Sequence, residues 1–311
     1  MTVAVLGNAA IDLVFEVEAV PRPGASVTAA RRRTDLGGKG LNQAIAARRA
    51  GAEVRLCAVV GEDAHGAAIE RRLREEGIDP AWLLRRDRPT DESLIFVTPD
   101  GENAVLGISP PEGALDPDAA RAFLRTFTAG DLLVIGGTLL PATRRAALAT
   151  ARERGMEVLL NPPPDLSGPP SLPAAGTLVA NRREIRLLGG VPDIERAVSR
   201  LRAAGFERIV VTLGVGGAVW FEGDLRIAVP APPTEAVDST GAGDLLLGVL
   251  AAGLDRDLPP AVALRRAVAA ASLSVGRRGT LASFPDRAEM AVLFASLERE
   301  GEAIVHPVPR E

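Results

Sequence analysis

The sequence predicts an α/β fold in which helices cover both faces of a mostly parallel central sheet. Short apolar runs, rich in Val, Ile and Leu and bounded by Gly, Asn or Pro, are typical of buried strands. Longer stretches with helical periodicity separate these runs. Such alternation favours parallel strands joined by crossover helices. The chain has 311 residues, of which 47% are hydrophobic, so it can bury a full core.

Taken in order, strands and helices alternate from the N-terminus to residue 213. The predicted strands are Thr2–Gly7, Val54–Val60, Asp131–Ile135, Glu157–Leu160, Thr177–Ala180 and Arg208–Leu213. The predicted helices between them lie near 40–50, 64–76, 117–126, 142–154, 182–188 and 193–204. After residue 240 the pattern is almost entirely helical, at 243–253, 259–276 and 286–298. Pro-rich stretches at 161–173 and 230–233 are predicted to be surface loops.

Two segments, Leu13–Asp35 and Ser93–Ile108, lack helical periodicity. They alternate polar and apolar residues and carry turn sequences at 21–24 and 99–102. We predict that they form a small β subdomain, which interrupts a single domain spanning residues 1–311 at two places.

Composition excludes several classes of protein. The formal net charge of −4 argues against a general nucleic-acid binder, which carries a basic surface. Apolar stretches such as 132–141 and 245–254 are shorter than the ~20 residues needed to cross a bilayer, so no membrane partner is expected. The single cysteine, Cys57, cannot form an intramolecular disulfide, and the sequence shows no signal peptide. Both observations favour a cytoplasmic protein.

The strongest local signal is Val237-Asp-Ser-Thr-Gly-Ala-Gly-Asp244, which precedes an apolar helix. The free N–H groups and the dipole at a helix start form an anion site, and glycine lets a phosphate approach the backbone. Asp244, in the first turn, is placed to accept the proton of an attacking hydroxyl while the amides hold a phosphoryl group. The alternative is an ordinary first-turn carboxylate stabilised by the dipole.

A second glycine-rich segment, Leu36-Gly-Gly-Lys-Gly-Leu-Asn-Gln-Ala44, also leads into a predicted helix. Of the 36 basic residues only Lys39 is a lysine, which favours a position where a compact ammonium is needed. The segment is not a P-loop, because Gly40 follows the lysine where that motif needs Ser or Thr. The alternative is a flexible turn with a solvated lysine.

A third segment, Gly7-Asn-Ala-Ala-Ile-Asp12, follows the first predicted strand. If the chain stays extended, Asn8, Ala10 and Asp12 share one face near the carboxyl end of that strand. Ligands bind at such ends in open α/β sheets, although a turn or cap role is the alternative. Neither G-x-G-x-x-G nor G-x-S-x-G occurs, which argues against a dinucleotide-dependent dehydrogenase and a serine hydrolase.

Together these motifs resemble the ribokinase, or PfkB, family of carbohydrate kinases over nearly the whole chain. The resemblance rests on Gly37–Ala44 and Val237–Asp244, and on their order and separation. Lesser matches are Gly101-Glu-Asn103, Asn161-Pro162, Asn181-Arg-Arg-Glu184, Thr212-Leu-Gly214 and Gly279-Thr-Leu-Ala-Ser283. The resemblance implies a ribokinase-like three-layer fold whose two β segments, near 13–35 and 93–108, form a lid over the sugar. In relatives this lid often pairs subunits, which implies a homodimer.

The resemblance also implies roles for individual residues. The catalytic base matches Asp244, and its anion hole matches Gly241, Ala242 and Gly243. The positions around the sugar match Asp12, Gly38, Lys39 and Asn42. The pair that positions phosphates and magnesium-bound water matches Asn181 and Glu184. The loop on the nucleotide side matches Thr212 and Gly214. The positions around a monovalent-cation site match Asp238 and Ser283.

The chain departs from the ribose-specific pattern at two places. Ala10 stands where those relatives have an Asn, two residues before the sugar-binding Asp, and Gly137 stands where they have a Glu. Both missing side chains bind sugar hydroxyls, so the departures concern the substrate and leave the phosphoryl-transfer residues unchanged.

The resemblance thus implies an ATP-dependent kinase that uses Mg²⁺, with K⁺ as a further cation. Its acceptor would be the primary hydroxyl of a small sugar, with ribose as the first candidate. A kinase for a nucleoside or a sugar phosphate is the alternative among enzymes. A catalytically silent sugar- or nucleotide-binding regulator is the alternative from another class, although a pure binder would not need Asp244.

Overall fold

The computed structural model describes residues 1–99, 103–109, 114–163, 176–299 and the backbone of 306–307. Its strands are β1 (Thr2–Leu6), β2 (Ala10–Glu16), β3 (Arg31–Gly37), β4 (Glu53–Gly61), β5 (Leu83–Arg86), β6 (Asp91–Val97), β7 (Asn103–Ile108), β8 (Leu132–Ile135), β9 (Glu157–Leu160), β10 (Thr177–Asn181), β11 (Arg208–Thr212), β12 (Ala218–Glu222), β13 (Leu225–Val229) and β14 (His306–Pro307). Its helices are α1 (Lys39–Arg49), α2 (Ala64–Glu75), α3 (Pro117–Leu124), α4 (Pro141–Arg154), α5 (Arg182–Gly189), α6 (Ile194–Ala203), α7 (Ala242–Asp255), α8 (Pro260–Val275) and α9 (Arg287–Arg299).

The large sheet has the order β14-β13-β12-β11-β10-β9-β8-β1-β4-β5 among the described strands. From β11 to β5 all neighbours are parallel, whereas β12, β13 and β14 are added antiparallel. This arrangement confirms the α/β fold with a mostly parallel sheet.

Two cores lie on opposite faces of this sheet, because successive side chains of a strand point to opposite sides. Val3 and Val5 of β1 pack with α1, α7 and α8, while Ala4 and Leu6 pack with α3 to α6. Both cores are rich in fully buried Leu, Ile, Val and Ala side chains. The result is a three-layer arrangement of helices, sheet and helices.

The small sheet has the order β3-β2-β6-β7. Its outer strands are antiparallel to their neighbours, and the central β2–β6 pair is parallel. The two predicted β segments are therefore confirmed, but the limits were wrong: β2 begins at Ala10 and β6 at Asp91, before residues 13 and 93. Ala10, Ile11 and Asp91, at the starts of these two strands, are buried, so the alternation of polar and apolar residues begins only after them.

The other predicted strands and helices agree with the structure within about two residues. Strand β5, the β12–β13 hairpin and the short β14 were not predicted from the sequence. Most of the predicted turn at 99–102 and most of the 161–173 loop lie outside the described residues, whereas 230–233 forms a loop. No helix in the described ranges is both long and apolar enough to span a membrane.

Candidate active site

The carboxyl ends of the parallel strands form one edge of the large sheet, where open α/β sheets bind ligands. Each of five adjacent strands carries a glycine or a polar residue at its end or within two residues after it, in the order Asn8, Gly137, Asn161, Asn181 and Thr212 from β1 to β11. Asn181 and Thr212 are direct partners in the β10–β11 register. This edge therefore offers a polar groove, with the small sheet near its β1 end.

Helix α7 begins at this edge with an open N-terminus. Its N-cap, Gly241, has a φ of 78°, and no side chain of the described residues caps the helix. A Cβ at Gly241 would come within 2.7 Å of Thr280 Cγ2, so both space and conformation require glycine. A Cβ at Gly243 would meet nothing within 4 Å, which leaves room for a ligand beside the first turn. The first turn of α7 thus combines an uncapped helix start with open space beside Gly243, an arrangement that can bind an anion.

Asp244 is held in the first turn of α7 by two amides of α1. Asn42 Nδ2 donates to Asp244 Oδ2 at 3.0 Å, and Gln43 Nε2 donates to Oδ1 at 2.9 Å. Helices α1 and α7 can approach because Gly248 lacks a side chain: its Cβ would lie 2.5 Å from Gln43 O. Both oxygens of the carboxylate are therefore oriented before any substrate binds.

The environment also tunes the acidity of this carboxylate. Burial raises the pKa of Asp244 above its ordinary value, while the charge of Lys39 and the two amide hydrogen bonds oppose the rise. A raised pKa makes an ionised carboxylate a better proton acceptor. The geometry fits a general base better than an ordinary first-turn residue.

Lys39 is fixed in the groove rather than solvated. Its Nζ donates to Asn161 Oδ1 at 2.7 Å, and Asn161 Nδ2 donates to Val179 O at 3.0 Å. Gly38, the residue before it, has a φ of 90° and passes close to the backbone of Ala9 and Ala10. The single lysine therefore places a positive charge between the β1 and β10 parts of the groove, near Asp244.

Asp12 lies in β2, at the base of the small sheet, and is 5% exposed. Thr280 Oγ1 donates to its Oδ2 at 3.3 Å, and a Cβ at Gly37 would overlap its carboxylate. Burial raises the pKa of Asp12 to about 6, and the charges of Asp244 and Asp35 add to the rise. The residue is thus a buried carboxylate within β2, close enough to Asp244 to feel its charge.

Asn8 occupies the space at one of the two departures from the family pattern. Gly137 has a φ of 82°, and its Cβ would overlap Asn8 Oδ1. Among the described residues this buried oxygen has no hydrogen-bond partner. Ala10, the other departure, is buried and offers no polar group. A buried acceptor of this kind is available to a ligand hydroxyl.

At the β10–β11 end, Asn181 and Glu184 form a capping box for α5. Glu184 N donates to Asn181 Oδ1, and Asn181 N donates to Glu184 Oε2, both at 2.9 Å. Gly214 begins a short turn, has a φ of 60° and would have open space around a Cβ. Asn181, Glu184, Thr212 and Gly214 thus lie together where β10 and β11 end.

Asp238 and Ser283 lie in neighbouring loops, and their side chains have different hydrogen-bond partners. Asp238 accepts from Thr240 N and Gly279 N at 3.0 Å each, and from Arg33 Nη2 at 2.8 Å. Ser283 Oγ donates to Thr280 O at 2.8 Å. Burial alone would raise the pKa of Asp238, but its hydrogen bonds hold it below the ordinary value.

Sequence reasoning missed two residues of this constellation, Gln43 and Arg33. Gln43 follows Lys39 by four positions, and side chains at this spacing share a helix face, so the signal was present. Arg33 lies 205 residues from Asp238 along the chain, and no local pattern predicts that contact.

An open edge of an α/β sheet, a helix N-terminus suited to a phosphoryl group and an oriented carboxylate define a phosphotransferase that acts on an alcohol. The chain belongs to the pfkB family of carbohydrate kinases, whose sequence model matches residues 1–287.

Known proteins agree with this assignment. The chain is 31% identical over 293 residues to a deoxyribokinase of Salmonella typhi, covering 92% of this chain and 96% of that protein. It resembles the structure of ribokinase from Thermotoga maritima with a TM-score of 0.83 and 24% identity, covering 95% and 99% of the two chains. It also resembles Arabidopsis thaliana ribokinase complexed with ribose and ATP, with a TM-score of 0.79 and 26% identity over 94% and 98% of the two chains. The protein is a ribokinase-like sugar kinase.

Proposed function

We propose that this enzyme transfers the γ-phosphoryl group of ATP to the primary hydroxyl of a pentose, with ribose as the first acceptor. The observation that supports it most directly is Asp244, oriented by Asn42 and Gln43 beside the uncapped start of α7. The similarity to both a deoxyribokinase and ribokinases supports a pentose as acceptor.

In the proposed reaction, Asp244 accepts the proton of the primary hydroxyl as its oxygen attacks the γ-phosphorus. A new P–O bond forms, the bond from the γ-phosphorus to the β–γ bridging oxygen breaks, and ADP leaves. The amides of Gly241, Ala242 and Gly243 stabilise the charge on the transferred group, although Ala242 N also donates to Ser239 O at 3.3 Å. Lys39 adds positive charge close to the same group.

We assign the nucleotide to the β10–β11 end of the groove, where Thr212 and Gly214 would adjoin it. The capping box uses Asn181 Oδ1 and Glu184 Oε2, so we assign the remaining polar atoms of these side chains to phosphate and magnesium-bound water. The described residues contain no cluster of three or more His, Cys, Asp or Glu side chains that could hold a metal. This suits Mg²⁺, which keeps several waters and binds mainly through nucleotide phosphates, where it neutralises their charge.

The side chains of Asp238 and Ser283 leave only main-chain oxygens as ligands for K⁺. Both oxygens of Asp238 already accept hydrogen bonds, and Ser283 Oγ donates to a carbonyl. Neither side chain is therefore free to ligate K⁺, and any K⁺ bound at these loops would depend on carbonyl oxygens alone.

We assign the sugar to the β1 end, where Asp12, Gly38, Lys39 and Asn42 surround the groove. Asp12 would accept sugar hydroxyls, and Asn8 Oδ1 would replace one acceptor lost at Gly137. Ala10 has no polar side chain, so the hydroxyl contact that an Asn makes at this position in ribose-specific relatives is lost. Because one hydroxyl contact is lost, we expect ribose and 2-deoxyribose to differ by less than about tenfold in kcat/KM, since one neutral hydrogen bond contributes about 0.5–1.5 kcal/mol.

We further propose that the small sheet acts as a lid and pairs two copies of the chain. Leu106 and Ile108 share one face of the edge strand β7, and both are exposed apolar side chains, with Leu106 56% exposed. Clusters of this kind favour an interface. We also propose a cytoplasmic location, because Cys57 is a free and buried thiol and free thiols are typical of reducing compartments.

The deciding experiment measures ADP formation from ATP and Mg²⁺ with ribose, 2-deoxyribose, hexoses, nucleosides and sugar phosphates. The proposal expects a pentose to give the highest kcat/KM. A nucleoside or a sugar phosphate as the best acceptor would refute the assignment of substrate. Binding of ATP and sugar without turnover across the panel would instead indicate a regulator.

A further inference from the structure

Arg33 connects the small sheet to the loop that precedes α7. It lies on β3, an edge strand of the small sheet, and its side chain is 28% exposed. Its Nε donates to Asp35 Oδ2 at 3.0 Å and its Nη2 donates to Asp238 Oδ2 at 2.8 Å. The guanidinium therefore bridges a carboxylate of its own strand and one from a different part of the fold.

Asp238 organises the start of α7. Its Oδ1 accepts from Thr240 N, one residue before the N-cap Gly241, and its Oδ2 accepts from Gly279 N. The backbone N–H of Asp238 also donates to Val275 O at 3.1 Å. The carboxylate thus fixes the loop whose end presents the amides of the proposed anion hole.

The carboxylate of Asp238 needs a compensating positive charge, because the residue is only 6% exposed. Arg33 provides that charge at hydrogen-bond distance. The nearby Arg277 and Arg278 are paired elsewhere, with Glu289 and Glu16 respectively. The carboxylate that the family resemblance places beside a monovalent cation is therefore already paired with an arginine.

We propose that Arg33 is a positioning residue that acts as the resident cation of this loop, holding Asp238 and hence the start of α7 in the shape needed for phosphoryl transfer. The proposal rests on the proposed kinase function. It implies that a monovalent cation from solution adds little to the wild-type enzyme and becomes important when Arg33 is removed. It also implies that the small sheet and the anion hole are mechanically linked.

The test compares Arg33→Gln and Arg33→Lys with the wild type, with Arg32→Ala as a matched control on the exposed neighbouring position of β3. Each protein is assayed for kcat and KM, and for the melting temperature of the free protein. The buffers contain tetramethylammonium, Na⁺, K⁺ or low-millimolar guanidinium at constant ionic strength.

We expect the wild type and Arg32→Ala to vary less than about threefold in kcat among these cations. Arg33→Gln should lose at least tenfold in kcat in tetramethylammonium and recover at least fivefold in K⁺ or guanidinium, with a matching rise in melting temperature. Arg33→Lys should keep at least a third of wild-type kcat. A wild type activated more than tenfold by K⁺, or an Arg33→Gln enzyme with wild-type kcat, would overturn the proposal.

A double variant keeps the test decisive if Arg33→Gln folds poorly. Arg33→Gln with Asp238→Asn removes both charges, so it should melt higher than Arg33→Gln alone and lose its response to cations. A double variant that melts no higher would contradict charge compensation. If the wild type phosphorylates no pentose, the proposed function fails, and the melting temperatures still decide the role of Arg33.

Discussion

Asp12→Asn should make the protein more stable at neutral pH and a poorer enzyme. In the folded protein burial raises the pKa of Asp12 from 3.8 to about 6, so ionisation of this carboxylate opposes folding. The gap corresponds to about 3 kcal/mol, at about 1.4 kcal/mol for each pH unit. Asparagine has a similar shape and no charge, so it removes this cost.

The sign of the pH dependence follows from where the protons bind. Below pH about 4 the carboxyl is protonated in both the folded and the unfolded chain, and the cost is absent. Between pH about 4 and 6 the folded state holds the proton more tightly, so wild-type stability falls relative to Asp12→Asn as pH rises. Above pH about 6 the difference is complete.

Thermal unfolding of both proteins at pH 4 and pH 8 measures this effect. With an unfolding entropy of about 2.1 cal/mol/K per residue, 311 residues give about 0.65 kcal/mol/K, so 3 kcal/mol corresponds to about 4–5 °C. We expect the melting temperature of Asp12→Asn, relative to that of the wild type, to be higher by this amount at pH 8 than at pH 4. Asp118→Asn, at an exposed carboxylate outside the site, serves as the control.

The same variant should bind sugar poorly, with KM for ribose raised about 10- to 100-fold, because a hydrogen bond to a charged acceptor contributes about 1.5–3 kcal/mol. Its affinity for ATP should stay unchanged. Equal stability gains at pH 4 and pH 8, or an unchanged KM for ribose, would refute the account of Asp12 as a buried, ionised sugar ligand.

Three further variants test other parts of the site. Lys39→Arg should lower kcat at least tenfold, since a guanidinium is too large for the Asn161 contact; full activity would mean that the lone lysine is an accident of composition. Gln43→Leu should shift the acidic limb of the kcat–pH profile to higher pH, because it removes a donor that lowers the pKa of Asp244; an unmoved limb would contradict this role. Leu106→Glu should convert a dimer to a monomer in light scattering, whereas an unchanged mass would place the interface elsewhere.

Sequence periodicity predicted the large sheet well because its strands and helices each bury one continuous apolar pattern. The β12–β13 hairpin was missed although its strands are joined by only Gly223 and Asp224, a short Gly-containing connection that is typical of a hairpin. The start of β2 was placed too late because Ala10 and Ile11 look like a continuation of a buried strand.

The site was predictable where its residues are neighbours in sequence. Gly241, Ala242, Gly243 and Asp244 form one segment whose helix start fixes their geometry. Contacts across the fold were not predictable, because they depend on how α1 packs on α7 and how the small sheet meets the loops. Asn8 shows the same limit: the sequence placed it near Ala10, but its position against Gly137 depends on the end of β8.

The most direct test of the account is turnover by Asp244→Asn with ATP, Mg²⁺ and the best pentose of the panel. Asparagine can keep the shape of the side chain but cannot accept the hydroxyl proton, and loss of a general base typically costs 10²–10⁴-fold. We predict a fall of at least a hundredfold in kcat, with the melting temperature and ATP affinity close to those of the wild type. A variant that keeps more than about a tenth of wild-type kcat would show that Asp244 is not the base.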